Sequence, residues 1–229
     1  MSIQTAPFDE ARRTSADDVF ERLRSDIVNL RLEPGTKLSE VEIAKQNKVS
    51  RQPVREAFIR LNNMKLLRVR PQKATLVRKI SIREILNTRF IRTAVEIEVV
   101  RHACACANAV NLFNIEENLS KQNKAIREKS GVQFHDLDYE FHRLLCLAAN
   151  CEFAFKSISE NKSQTDRLCM LSLANDEERE ELYSDHSSIF DALKNRDESQ
   201  VVKLTRSHLG RLDSTFTNAR ESHPEYFED

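Results

Sequence analysis

Apolar residues recur at helical spacing along most of the chain, and the places where that period breaks divide it into two parts. Val19, Phe20, Leu23, Ile27 and Leu30 share one face of a first helix, with Ser15 placed to cap it and Asp17 and Asp18 in its first turn. Pro34-Gly35 ends this helix and turns the chain. Ser39, followed three residues later by Glu42, has the form of a capping box and opens a short second helix. Asn47-Lys48 breaks that helix, and Ser50 is placed to cap a third one carrying Val54, Ala57, Phe58 and Leu61. After Asn63 the period shortens to two. Leu67 and Val69 alternate with Arg68 and Arg70, Pro71-Gln72-Lys73-Ala74 supplies a turn, and Thr75-Leu76-Val77 is β-prone. The sum predicts a winged helix-turn-helix over residues 14–79, made of three helices and a two-stranded wing.

Helical spacing resumes after Ser81. Ile85, Leu86, Phe90, Ile91, Val95 and Val99 mark the first helix of this part. Five more helices are expected over about 111–129, 132–149, 152–172, 177–195 and 198–219. Residues 80–220 are thus expected to form an all-α helical bundle, with residues 1–13 a flexible arm and 221–229 a tail. The fold class is mainly α, which agrees with a composition of only three Gly and five Pro among 229 residues.

Formal charge sums to zero, but the two parts are opposite. Residues 1–79 hold 17 Lys/Arg against 10 Asp/Glu, and the remainder holds 19 against 26. Between Lys45 and Lys79 eleven basic residues face one acid, Glu56. A basic head on an acidic body implies a polyanionic partner for the head, and nucleic acid fits best. The first thirty residues contain no apolar secretory core, and no apolar run is long enough to span a bilayer. A cytoplasmic protein is expected. Five cysteines, Cys104, Cys106, Cys146, Cys151 and Cys169, form no CxxC pair and read as small hydrophobes on buried helix faces.

The third helix opens Ser50-Arg51-Gln52-Pro53-Val54-Arg55-Glu56-Ala57. The first turn of a recognition helix enters the major groove, where Arg51 offers a fork to guanine and Gln52 one to adenine. Arg55 follows one turn later on the same face, and Pro53 needs no donor in a first helical turn. The plain alternative is that these arginines form surface ion pairs.

The run Pro34-Gly35-Thr36-Lys37-Leu38-Ser39-Glu40, then Val49 to Ala57, then Leu66-Leu67, resembles the DNA-binding domain of the GntR family of transcription regulators. The helical remainder resembles the FadR-type ligand domain, of the metal-binding FCD kind. The resemblance implies that Arg51 and Arg55 are the principal operator contacts, assisted by Ser50, Gln52 and Lys73 at the wing tip. It also implies a homodimer on palindromic double-stranded operator DNA, with repression the expected sign. Two departures stand out: Lys48 and Ala74 occupy positions where the family usually has Gly, so left-handed backbone there would be strained.

Asp138 and His142 stand four residues apart, which stacks a carboxylate and an imidazole on one helix face. His186 and His208 lie on two later helices that antiparallel packing can bring to the same place. Spacing alone leaves a satisfied polar pair as the plainer reading. The resemblance implies that these four positions ligate a divalent metal, Zn, Ni, Mn or Fe, with coordination positions left for an oxygen-bearing effector. His102 and His135 have no place in that pattern. Arg92 and Glu96 match an Arg-x-x-x-Glu motif of such domains. They read either as an intrahelical ion pair or as an anchor, through Arg92, for a small carboxylate effector. A dedicated metal-responsive regulator is the alternative reading, and a metal-dependent enzyme a weaker one, since it explains neither the basic head nor the SRQPVREA helix.

Overall fold

The structure, a computed structural model, describes residues 14–70, 73–160, 163–172 and 176–228. The expected arm at 1–13 and the Pro71-Gln72 part of the wing turn lie outside the described residues.

Helix α1 spans Ser15–Val28, and its N-cap is Thr14 rather than Ser15. This start puts Asp17 at the third helical position. The Thr14 hydroxyl accepts from the Asp17 amide at 3.2 Å while the Asp17 carboxylate accepts from the Thr14 amide at 3.0 Å. A start one residue later forgoes that reciprocal pair. Hydrogen bonds from Thr14, then from Arg60, hold the Asp17 carboxyl down at about 2.

Strand β1 (Lys37–Leu38) leads into α2 (Glu40–Asn47), α3 (Arg51–Asn63), β2 (Leu67–Arg68) and β3 (Thr75–Val77). The expected two-stranded wing is present as β2 paired antiparallel with β3, and β1 joins β3 as a third strand, giving the order β1-β3-β2. β1 is two residues long, too short to show alternation, and joins only because Lys37 and Leu38 pair with Leu76 and Thr75. The core of this head is Val19, Phe20, Leu23 and Ile27 of α1 against Val54, Ala57, Phe58 and Leu61 of α3, closed by Leu66, Leu67 and Val77. Ser39 caps α2 through the Glu42 amide, and Lys48 ends it in left-handed backbone at φ 54°. Ser50 occupies the N-cap of α3 but makes no side-chain cap bond there, contrary to expectation. Ala74 keeps a negative φ, so the wing is built without left-handed backbone at that position.

After β4 (Ile80–Ser81) come α4 (Ile82–Cys106), α5 (Ala109–Arg127), α6 (Gly131–Ala148), α7 (Glu152–Glu160), α8 (Ser163–Ser172), α9 (Asp176–Lys194), α10 (Glu198–Gly210) and α11 (Leu212–Ser222). The helix expected at 152–172 is recorded as α7 and α8. The one expected at 198–219 breaks at Arg211, whose amide tightens onto the His208 carbonyl while its guanidinium is drawn to Asp185 and Glu181. None of the helices among the described residues is long and apolar enough to cross a membrane. The tail is docked rather than loose: β5 (Phe227–Glu228) runs parallel to β4, and Phe227 is buried with Ile80, Ile85 and Leu168.

On α4 the apolar residues divide between inside and outside. Ile85 and Val99 are buried, but Leu86, Phe90 and Ile91 are exposed at 42%, 77% and 43%. The buried arc instead carries Thr88, Arg92 and Glu96, because the bundle has a polar centre. α4, α5, α6, α9 and α10 surround that centre, and apolar residues such as Val100, Ile115, Phe141, Leu145, Ile189 and Val201 seal it.

Left-handed backbone penalises a residue with a Cβ, so Lys48→Gly should raise the head's unfolding free energy by about 1 kcal/mol, read from the shift of its urea midpoint.

Candidate functional site

On the head, α3 presents its first turn outward. Ser50, Arg51, Gln52, Arg55 and Lys73 are all exposed. Arg51, Arg55 and Lys73 share the lining of a cleft of about 840 Å³ between α3 and the wing, together with Glu40, Asn62 and Arg70. The Asn62 side-chain oxygen accepts from the Val69 amide at 3.2 Å and ties the wing to the recognition helix. Gln52 donates to Glu56 at 3.0 Å, which aligns its amide along the helix. The ion pairs that the plain reading anticipated do exist, but their partner is Glu40 of α2, at 3.1 Å from Arg51 and 3.4 Å from Arg55. An amphipathic α3 explains the arrangement: Val54, Ala57, Phe58 and Leu61 face α1, which leaves the opposite face to the basic residues.

In the bundle, Asp138 and His142 of α6, His186 of α9 and His208 of α10 converge, their ligand atoms all lying within 4.8 Å of one another. Asp138 Oδ1 is 3.4 Å from His186 Nε2 and 3.9 Å from His142 Nε2. Each imidazole is held by its other nitrogen. His142 Nδ1 lies 2.7 Å from a Glu96 oxygen, His186 Nδ1 lies 2.9 Å from the Gln122 carbonyl oxygen, and His208 Nδ1 lies 3.4 Å from Asp185. His186 and His208 are hydrogen-bonded outward through Nδ1, and His142 Nδ1 meets Glu96 as an ion-pair contact; a proton on each Nδ1 leaves the Nε2 atoms free, which is the tautomer a metal needs. The rings are further fixed by stacking of His186 on Phe141 at 4.1 Å.

Burial drives His186 well below the ordinary imidazole value, and the neighbouring His208 pushes it further down. Burial lowers His142 as well, although Glu96 opposes the shift. Neutral imidazoles result. Burial would raise the Glu96 carboxyl, but Arg92 and His142 outweigh it and hold the group well below the usual carboxylate range. Burial likewise opposes ionisation of Asp185, yet hydrogen bonds from His208 and Arg211 hold it at about 2. Arg92, whose Nε donates to Glu96 at 2.7 Å, stays charged despite its burial because Glu96 and Asp138 are near.

The donor set, three imidazoles and a carboxylate, fits a divalent transition metal on its own chemistry. Among the described residues His186 Nε2 is buried and makes no hydrogen bond, which supports the fit. His102 and His135 stay outside the cluster, paired with Glu98 at 3.5 Å and Asp166 at 3.8 Å. Cys104 and Cys146 are buried as expected and Cys151 and Cys169 partly so, whereas Cys106 is exposed. Burial pushes the Cys146 thiol up to about 12.

Sequence reasoning missed Gln122 and Asp185. Gln122 had a faint signal, because it and Asn118 interrupt the apolar face of α5 at helical spacing. The two are buried and bonded to each other at 2.7 Å. Asp185 had none: it reaches His208 across 23 residues, and only the packing of α10 on α9 joins them.

The winged helix matches the family model described as bacterial regulatory proteins, gntR family, over residues 15–77, and the bundle matches the FCD domain model over residues 88–211. The HTH-type transcriptional repressor RspR of Escherichia coli (strain K12) is 37% identical over 209 residues, 91% of this chain and 92% of that protein. The Nta operon transcriptional regulator of Aminobacter aminovorans is 28% identical over 183 residues, 80% of this chain and 85% of its own length. Among solved structures, E. coli McbR/YncC has the same fold, with a TM-score of 0.76 at 21% identity over 90% of this chain and 99% of that one. A transcriptional regulator from Rhodococcus sp. RHA1 follows at 0.72 and 22%, over 89% and 98%. A winged helix of one model and a bundle of the other, in one chain with a relative aligned over about nine tenths of both lengths, leave a single assignment: the chain belongs to the GntR family of bacterial transcription regulators, with an FCD domain behind its DNA-binding head.

Proposed function

We propose that this regulator is a homodimeric repressor that holds a divalent metal at Asp138, His142, His186 and His208 and releases or regrips its operator when a small carboxylate effector binds there. The observation that carries the reading is the trio of imidazoles locked by Glu96, Gln122 and Asp185 with their free nitrogens gathered around Asp138. Side chains held this way on both shells are preorganised for an ion. The metal, Zn, Ni, Mn or Fe, would supply a Lewis-acid anchor for the effector's oxygens, and this chain's own Arg92 would add a second charge beside it.

The head's basic face supports operator binding through Arg51 and Arg55, with Gln52, Ser50 and Lys73 alongside. The sign of control is taken from the relative named as a repressor. A second copy of the chain is the natural cover for the apolar residues left outward: Leu86 and Phe90, one turn apart on α4, and Val110 and Phe113 at the start of α5. α8 offers the route between the parts, because it packs on α4 and α6 beside the site, on α1 of the head and on β4 of the linker.

Elemental analysis of purified protein should find about one ion per chain, and His186→Ala or His208→Ala should lower metal content, thermal stability and effector response together, since a ligand at a thousandfold its Kd adds about 4 kcal/mol. Chelation that alone abolishes operator binding, with no organic acid able to act, would instead make the metal the signal. Glu96→Gln leaves the ligands in place but loosens the His142 ring, so metal affinity should fall about 10- to 100-fold. On the head, Arg51→Ala or Arg55→Ala should cost about 1–3 kcal/mol of operator affinity in titrations at fixed salt, with folding intact. Wild-type affinity should fall steeply as salt rises, and a flat profile would count against operator binding.

A further inference from the structure

One acid sits in the middle of the DNA-facing surface. Glu40, the first residue of α2, presents a single oxygen, Oε2, to the Nη2 atoms of Arg51 at 3.1 Å and Arg55 at 3.4 Å. Its side chain is 25% exposed, whereas those of the two arginines are 59% and 53% exposed. All three line the cleft between the recognition helix and the wing.

Exposed ion pairs add little to stability, and a carboxylate at this surface repels phosphate. Glu40 therefore weakens general DNA binding unless it returns something specific. What it supplies is geometry. Arginine side chains have many rotamers, and one oxygen shared by two guanidiniums places both relative to each other and to α2 before DNA arrives. Each arginine spends one terminal nitrogen on the acid and keeps the rest of its fork for a base edge.

We infer that Glu40 is a positioning residue for sequence readout: it holds Arg51 and Arg55 as a registered pair, trading general attraction to DNA for discrimination between sequences. The inference rests on the operator binding proposed above. A purely structural role is the competing account, because an acid in the first turn of α2 also suits the helix dipole.

The test uses the full-length protein, duplexes that the wild type enriches from a random-sequence pool, and a scrambled duplex of equal length. Affinities for both are measured over a range of salt for wild type, Glu40→Gln, Glu40→Asp, and Glu40→Gln combined with Arg51→Ala and Arg55→Ala. Losing the charge-assisted bonds in Glu40→Gln should lower the ratio of enriched to scrambled affinity about tenfold, with scrambled binding unchanged or stronger. Glu40→Asp, one methylene short of the arginines, should lose discrimination in the same direction. The Gln change should add nothing once both arginines are gone, and melting temperatures should stay level. An unchanged ratio in Glu40→Gln, full discrimination in Glu40→Asp, or a Gln effect that persists without the arginines overturns the inference and leaves a helix-start role. A wild type that enriches no duplex overturns operator binding itself, and the positioning role with it.

Discussion

The bundle is organised around a buried ionic chain running from Arg92 through Glu96 to His142. Arg92 and Glu96 are 5% and 2% exposed, and the contacts on either side of Glu96 are both 2.7 Å long. Moving a charge from water into a protein interior costs several kcal/mol even after relaxation, so neither residue of α4 is tolerable there alone. Placed one turn apart they neutralise each other, and the second Glu96 oxygen then demands a donor from the neighbouring helix. Only one register of α4 against α6 delivers His142 to that oxygen. Gln122 repeats the device more mildly from α5, where a fully buried amide is satisfied by Asn118 and by the His186 ring.

This constraint explains why the domain has an apolar shell around a polar centre. Replacing such a network by hydrophobic residues is often neutral or better for stability, so stability alone does not account for it. The network's output is a set of three imidazoles whose orientation is fixed by contacts at Nδ1. A ring free to rotate would present either nitrogen, and the entropy of fixing it would fall on ligand binding. Here the folding of α4, α5, α9 and α10 has already met that cost.

Much of the architecture was legible in the linear pattern. The three head helices followed from apolar spacing and turn residues, and the four converging side chains were named from Asp138-x-x-x-His142 plus a family resemblance. The failures have physical causes. β1 is two residues long and owes its existence to long-range pairing with β3. Leu86, Phe90 and Ile91 turn outward, which helical spacing does not decide, because the charged Arg92 and Glu96 have the stronger claim on the interior once His142 is there to meet them. Ser15 lost the cap to Thr14 because an exact spacing to Asp17 matters more than the hydroxyl itself. Asp185 was invisible, since a contact between helices leaves no local mark.

The way the head is fastened to the bundle limits how any signal can reach it. The linker is not a free tether: Ile80 and Ser81 pair with Phe227 and Glu228, Glu228 also meets Arg78 at 3.2 Å, and the buried Arg167 of α8 donates to the Arg78 carbonyl at 2.6 Å. A head held by these contacts has a small number of packed positions, not a continuum, because interlocked side chains pass between discrete arrangements. Under the proposed function an effector would act only through its difference in affinity between two such positions, and inverting a 1:99 population takes about 5.5 kcal/mol of difference. Arg92, as the proposed second anchor, would contribute to that difference only if α4 moves relative to α6 between the two states. The Glu96–His142 contact is the joint between those helices, so the carboxylate that orients the His142 ring is also where a shift of α4 would be felt first and passed to α8 and the linker.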